Sequence, residues 1–354
     1  LLETSDRNLE KAKALADGSG LQGALYPFVN PNLDYASQPF WDVASSQYVF
    51  KTALVGIATW DYFRVTLDRS WLAQRGYAIL AGVADMIVSK ATLDSSGVAS
   101  MKSVLDATGA EVDNDAFTLY TSRVALKGAI EASYELNYHV PAEWKRTFFG
   151  ISVPQFSGAN FEIIRANDAS VITDRMDVLH PLLVLQEHFS SDYLRGLSLA
   201  TNNENTLSAN ALFYASAATP ANALSPQNLL LVAGVYGVLA RSTGANADSF
   251  DAYTKSFLAE SAGDIWGSLA DKKSTSPSLN NPALCAQFLT NVIANLCGLG
   301  VSGGTTESGF RYSHYGVFGR FSTNLPNAMN KITVPSVGRG KQTFTVTNER
   351  LYVP

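Results

Sequence analysis

The stretch TGAEVDNDAFTLY, Thr108 to Tyr120, holds the residue of this chain best placed to do chemistry. Glu111 follows a Gly-containing turn and precedes a predicted helix start. A carboxyl in that position serves one of two ends. It is a general acid, which requires surroundings that keep it protonated until substrate arrives. Or it is a surface charge favoured by the dipole at the start of the helix. The local residues leave both readings open.

Other chemistries find no support. His139, His180, His188 and His314 have no metal-ligand spacing, and no G-x-S-x-G element occurs. GLGVSG, Gly298 to Gly303, fits G-x-G-x-x-G, but it follows a predicted helix rather than a strand, which removes the dinucleotide reading. Cys285 and Cys297 fall in one predicted helix, too far apart to pair, and read as buried thiols. Trp41, Trp60, Tyr62 and Tyr312 are aromatic enough to stack on sugar rings, although at helical spacing such residues more often fill a core. Neither metal nor cofactor is expected.

The elements that must position Glu111 are helical. Gln47 to Phe63 carries Val49, Leu54, Ile57 and Trp60 on one face. The short break LDRS leads to a second helix, Trp71 to Ala91, which makes an antiparallel hairpin. Asn114 or Asp113 is suited to cap a third helix through about Leu136, with Leu126, Ile130 and Tyr134 at i+4 spacing. Further helices are predicted near 174–187, 205–217, 226–242, 248–262 and 282–297, the third started by Ser225-Pro226. KITVPSV and KQTFTVT alternate apolar and polar residues around GRG and predict a β-hairpin, Lys331 to Thr347.

With 46% hydrophobic and 16% charged residues in 354, the chain has ample material for a core and none of the bias of a disordered one. A net charge of -5 without a Lys/Arg run argues against nucleic acid as a partner. The longest apolar run, Asn228 to Ala240, is too short to span a bilayer and reads as a buried helix. The opening LLETSDRNLEKAKALA has the pattern of a helix met in its middle. An upstream fragment of the same precursor, or another subunit, is therefore expected to cover the first helices.

Several segments in series carry a resemblance. LEKAKALADGSGLQGALYPF, ATWDYFRVTLDRSWLAQRGYAIL, VDNDAFTLY, DRMDVL and FLTNVIANLCGLG, followed by LPNAMNKITVPSVGRGKQTFTV, resemble successive motifs of glycoside hydrolase family 65. That family includes acid trehalases, kojibiose hydrolases and maltose or trehalose phosphorylases. The resemblance implies an all-α (α/α)6 toroid over residues 1–330, incomplete at its N-terminus, and the start of a β segment over 331–354. It also implies ancestral action on α-glucosides such as trehalose, with a glycan as ligand, and points to an extracellular or vacuolar/lysosomal setting.

The resemblance also supplies site residues. Inverting hydrolysis needs a protonated carboxyl on the leaving oxygen and a second carboxylate across the ring, about 6.5–9.5 Å away. Glu111 matches the family's acid on a loop that has lost a Pro-Asp pair, and Asp271 in GDIWGSLADKK stands nearest the second carboxylate, one methylene shorter than Glu. Asp113, Asn114 and Arg175 match family motif positions. His180 stands where relatives carry Lys-Gln, and Trp41-Asp42 has the letters of the family's Phe-Trp-Asp sugar-binding element but falls after the Gly-Ala-Tyr-Pro element and is not equated with it. These six are the candidate substrate-binding residues. Three departures at functional positions predict impaired or lost catalysis on a retained fold, with Glu111 near a pocket rim and no carboxylate opposing it. The alternative is a non-catalytic glycan-binding or structural subunit.

Overall fold

A computed structural model of the chain describes residues 2–26, 47–106, 109–152, 155–157, 162–164, 166–168, 229, 232–234, 252–256, 261–263, 269–271, 299–306, 309–319, 331–337, 342–347 and 351–352. The chain divides into two compact units. One comprises Leu1–Thr173, Leu185–Glu204 and Ser302–Gly316; the other comprises Asp174–Val184, Asn205–Val301 and Val317–Pro354.

The first unit opens with helices α1 (Leu2–Arg7) and α2 (Leu9–Gly18), parted by the turn residue Asn8. Leu9, Ala12, Leu15 and Ala16 form the buried face of α2. The chain then turns through Gly20 and Gly23, both at positive φ, and runs extended between helices. There Ala24 N–H donates to Gly82 O (2.7 Å), Leu25 N–H to Ala12 O (2.9 Å) and Tyr26 N–H to the Thr52 hydroxyl (2.8 Å). The Tyr26 hydroxyl donates to Ser5 O at 3.1 Å, so one short segment ties four helices together.

The predicted hairpin is present. Its first arm is α3 (Val49–Thr66), on which Val49, Ile57 and Trp60 are buried and Leu54 half-buried. The LDRS break works through two adjacent residues. Leu67 takes a left-handed conformation and closes α3 on Phe63 O, while the Asp68 carboxylate accepts the Trp71 N–H and starts the next helix. The second arm is α4 (Arg69–Trp71), a π-helical turn over Leu72–Gly76 and α5 (Tyr77–Lys90). Two short antiparallel ribbons follow, β1 (Thr92–Leu93) with β2 (Ala99–Ser100) and β3 (Val104–Leu105) with β4 (Glu111–Val112).

Helix α6 (Ala116–Leu136) is the centre of this unit, with every residue from Ala116 to Ser133 buried. It packs on α3 and α5, which also pack on each other. Small residues set the spacing: a Cβ on Gly56 would lie 3.0 Å from Val83 Cγ1 and 3.3 Å from Ala125 Cβ, and one on Gly128 would lie 3.0 Å from Trp60 Cγ. Leu126 and Ile130 are fully buried as their spacing predicts, with Tyr134 half-buried. The cap is one residue later than predicted. Asp115, not Asn114 or Asp113, accepts the Thr118 N–H and hydroxyl, both at 2.7 Å. Asn114 is unavailable for that task because it sits at positive φ with its side chain turned back to Met101. Replacing Asp115 by Ala should lower stability by about 1–2 kcal/mol, read as a shift of the denaturation midpoint.

Helix α7 (Ala142–Gly150) packs on α6 and α5, with Trp144 Nε1 donating to Asp85 Oδ1 at 2.8 Å. A third ribbon pairs β5 (Gln155–Ser157) with β6 (Glu162–Ile164).

In the second unit Leu229, Val232 and Ala233 are helical and buried, within the predicted helix 226–242. Residues 252–256 are helical as predicted, but Ser261–Gly263 is a strand, β7, paired with β8 (Leu269–Asp271). Ser and Gly are poor helix formers, and the helical pattern does not extend through them to 262. The stretch read as helical body up to 330 also contains β9 (Leu299–Thr306) and β10 (Gly309–Gly319), which pair with each other and whose residues Ser302–Gly316 are counted in the first unit. Its Gly, Thr, Val and aromatic content favours strands over helix. The predicted helices at 174–187, 205–217 and 282–297 lie outside the described residues.

The predicted β-hairpin is formed by β11 (Lys331–Val337) and β12 (Gln342–Thr347), antiparallel, with Ile332 opposite Val346 and Val334 opposite Phe344. That register puts the four apolar residues on one face, because neighbours along a strand alternate faces. Lys331 and Thr333 on the other face are exposed. Its turn, 338–340, lies outside the described residues. The pairing extends by a third strand, β13 (Leu351–Tyr352), set against β12.

Candidate active site

Glu111 stands on the β3–β4 hairpin, with its Cα opposite Leu105. The hairpin is closed by Asp106, which is fully buried. Its N–H donates to Ala110 O (2.9 Å), its carbonyl accepts the Gly109 N–H (3.0 Å) and its Oδ1 accepts the Ala110 N–H (3.0 Å). Gly109 takes positive φ, and a Cβ there would lie 3.3 Å from the Tyr48 hydroxyl. Gly109 and Ala110 thus fold back on Asp106, and the Glu111 side chain that follows them is exposed. Glu111 Oε2 accepts a hydrogen bond from Gln47 Nε2 at 3.2 Å.

The next two residues are held by backbone bonds. Asp113 accepts the Ser103 N–H through Oδ1 (3.0 Å) and the Lys102 ammonium through Oδ2 (3.0 Å). Those bonds, the backbone one first, hold its carboxyl below the usual range. Asn114 Oδ1 accepts the Met101 N–H (2.8 Å), its own N–H donates to Met101 O (2.9 Å) and its Nδ2 donates to Asp168 Oδ2 (2.7 Å).

Cations gather around these carboxylates. Lys90, at the last turn of α5, donates from Nζ to Ser103 O at 3.3 Å. Burial lowers its amine, opposed by the charges of Glu111 and Asp113. The hydrogen bond to Asp113 raises Lys102.

The structure therefore brings Glu111, Asp113 and Asn114 together on one short stretch between β3 and α6. Asp271 is the last residue of β8 in the second unit, its Cα opposite Ser261. Trp41, Asp42, Arg175 and His180 lie outside the described residues. Of the aromatic candidates, Trp60 is core, while Tyr62 is 39% exposed and packs against Trp71. Sequence reasoning passed over Gln47, Lys90 and Lys102. Only Asp115 had a local signal, in Asp115 preceding Thr118 by three at the head of an apolar run. Among the described residues no group of three or more His, Cys, Asp or Glu is arranged to hold a metal ion, and no helix is long and apolar enough to cross a membrane.

Residues 1–149 match the glycosyl hydrolase family 65 central catalytic domain. Kojibiose hydrolase of Mucilaginibacter mallensis is 28% identical over 158 residues, 44% of this chain and 23% of that protein. Kojibiose hydrolase of Flavobacterium johnsoniae is 27% identical over 146 residues, 41% of this chain and 21% of that protein. The matches thus span less than a quarter of either relative. A solved structure described as "Putative kojibiose phosphorylase from human microbiome" aligns with the whole chain and 53% of its own length, with a TM-score of 0.66 at 14% identity. That likeness carries the fold, the (α/α)6 toroid class expected from the sequence.

Proposed function

We propose that this chain, which belongs to glycosyl hydrolase family 65 through its residues 1–149, is built on a fold for α-linked glucosides and has impaired or lost catalysis. Relatives named for kojibiose support the α-glucoside class, with trehalose a further substrate to test. Glu111 and Asp271 are the proposed carboxyl pair, and Trp41, Asp42, Asp113, Asn114, Arg175 and His180 the proposed sugar contacts.

One observation carries the reading of impaired catalysis. Glu111 is an exposed strand residue on a closed turn. A general acid for glycoside cleavage works from a desolvated pocket, whereas the Glu111 side chain stands open to solvent on the hairpin. The alternative, a non-catalytic glycan-binding or structural subunit, draws support from Asp113 and Asn114. Their side chains already serve backbone groups of the neighbouring loop. The same reading has the chain acting with another subunit. Fully folded, monomeric behaviour of these residues alone would count against that association.

Glucose release from kojibiose and trehalose, with and without phosphate, tests the function. Release should stay at background, and Glu111→Gln should change nothing. Turnover that falls by about 100-fold or more on Glu111→Gln would overturn the reading, since general acids contribute on that scale.

A further inference from the structure

The α3–α6 contact contains a set of polar groups that the proposed carbohydrate chemistry does not use. Trp60 lies across α6 at Gly128, where a side chain would meet Trp60 Cβ and Cδ1 at 3.1 Å. That close approach delivers Trp60 Nε1 to Glu131 Oε2, at 3.1 Å. Lys127, one turn earlier on α6, places Nζ 3.8 Å from Glu131 Oε1. Arg64, one turn beyond Trp60 on α3, is also buried and is paired with Asp61. Glu131 is itself only 5% exposed.

We propose that Glu131, buried between α3 and α6 among Trp60, Lys127 and Arg64, acts as a proton-operated latch on that packing: the fold is more stable with its carboxyl neutral, because the cost of burying the charge exceeds what these partners return once it ionises. A carboxylate offers about four acceptor sites. Here Oε2 receives the indole N–H, while Oε1 receives no hydrogen bond among the described residues and has only the Lys127 ammonium at the edge of ion-pair range. Arg64 contributes charge, but its guanidinium is engaged by Asp61. A buried charge so thinly solvated is costly.

The other elements packed on α6 direct their polar groups elsewhere. From α5, Tyr77 reaches the Ser133 hydroxyl and Asp85 the Trp144 indole. From α7, Lys145 lies over Tyr134 and Arg146 pairs with Glu143. Arg123 of α6 serves carbonyls at the end of α7. Burial is the largest influence on Glu131 and raises it, outweighing Lys127, Arg64 and the Trp60 bond.

The direction follows by linkage. A carboxyl raised in the folded state contributes stability that is complete below the ordinary glutamate range and is lost as pH rises through the folded value. The latch therefore favours acid conditions.

Thermal unfolding of the full chain and of Glu131→Gln, followed from about pH 4.5 to about pH 7.5, tests it. Glutamine keeps the shape and an acceptor for Trp60 but cannot ionise. The melting temperature of Glu131→Gln relative to the unsubstituted chain should rise by about 3 °C or more across that range. A difference that is constant, or that moves the other way, overturns the proposal. Should the variant fail to fold, Trp60 fluorescence decides instead. The signal lost in Trp60→Phe should titrate with a midpoint above the usual glutamate range of about 4.3, and a flat or lower-lying titration overturns the latch.

Discussion

Replacing Gly23 by alanine is expected to destabilise the first unit by about 3–5 kcal/mol, a large part of the ~5–15 kcal/mol that holds a typical domain folded. Two separate costs meet there. Gly23 has φ +81°, a conformation in which a Cβ is strained by about 1–2 kcal/mol. The new methyl would also overlap Gly82 O and come within 2.5 Å of Met86 N, both backbone atoms of α5 that cannot rotate away. Relief requires lifting the Ala24–Tyr26 segment from α5, which breaks the Ala24 N–H to Gly82 O bond. Two neighbouring glycines separate the costs. Gly20 has φ +70° with open space around it, so Gly20→Ala should show the backbone strain alone. Gly18 is helical with nothing within 4 Å, so Gly18→Ala should be neutral or slightly stabilising. Denaturation midpoints in the order Gly18→Ala, Gly20→Ala, Gly23→Ala, highest to lowest, are the expected result. Equal midpoints for the last two would show that the close approach to α5 carries no weight.

That glycine shows where sequence and structure speak to one another. Its place in GLQGALY was legible as part of a family resemblance, but the reason for it, a backbone crossing against α5 some sixty residues on, is not written in any local pattern. The α3 helix was legible because a buried face imposes a 3.6-residue period over several turns, whereas α6, buried at every residue from Ala116 to Ser133, was legible from its cap candidates and the i+4 spacing of Leu126, Ile130 and Tyr134. The start of α6 was misread by one residue because Asp113, Asn114 and Asp115 are all capable caps. Only tertiary bonds from Ser103, Lys102 and Met101 take the first two out of contention. Glu111 was legible as a carboxyl on a turn. Its partner Gln47 was not, since they are 64 residues apart and nothing near either residue encodes the meeting. The strands β9 and β10 were missed for the opposite reason. Their Gly and aromatic content already opposes helix, so the local signal for strand is present in the sequence itself.

Arg123→Met should be nearly as damaging as the glycine change, at about 3–5 kcal/mol, although Arg123 is not among the proposed site residues. Arg123 is 1% exposed in the middle of α6. Its guanidinium donates to Phe148 O and to Ile151 O, the latter at 2.9 Å, and stacks 4.1 Å from the Phe148 ring centre. Phe148 lies in the last turn of α7 and Ile151 is its C-cap, so both carbonyls sit at a helix end where intrahelical donors run out. Arg123 thus supplies from α6 what α7 cannot supply for itself, and its positive charge suits the negative pole of that helix. Methionine fills similar volume and preserves packing on Phe148, so the loss would report the removed donors and charge rather than a cavity. Each bond to a charged donor contributes about 1.5–3 kcal/mol, and the desolvated ring contact about 2, a gross loss offset in part because methionine removes the cost of burying the charge. Arg123→Lys, with one compact ammonium in place of a fork, should fall between the two because it cannot reach both carbonyls in the same geometry. Hydrogen exchange along 142–151 localises the effect: protection there should fall in Arg123→Met before it falls in α3. Loss spread evenly over the unit, or a midpoint unchanged from the parent chain, would show that the end of α7 is held by something other than this guanidinium.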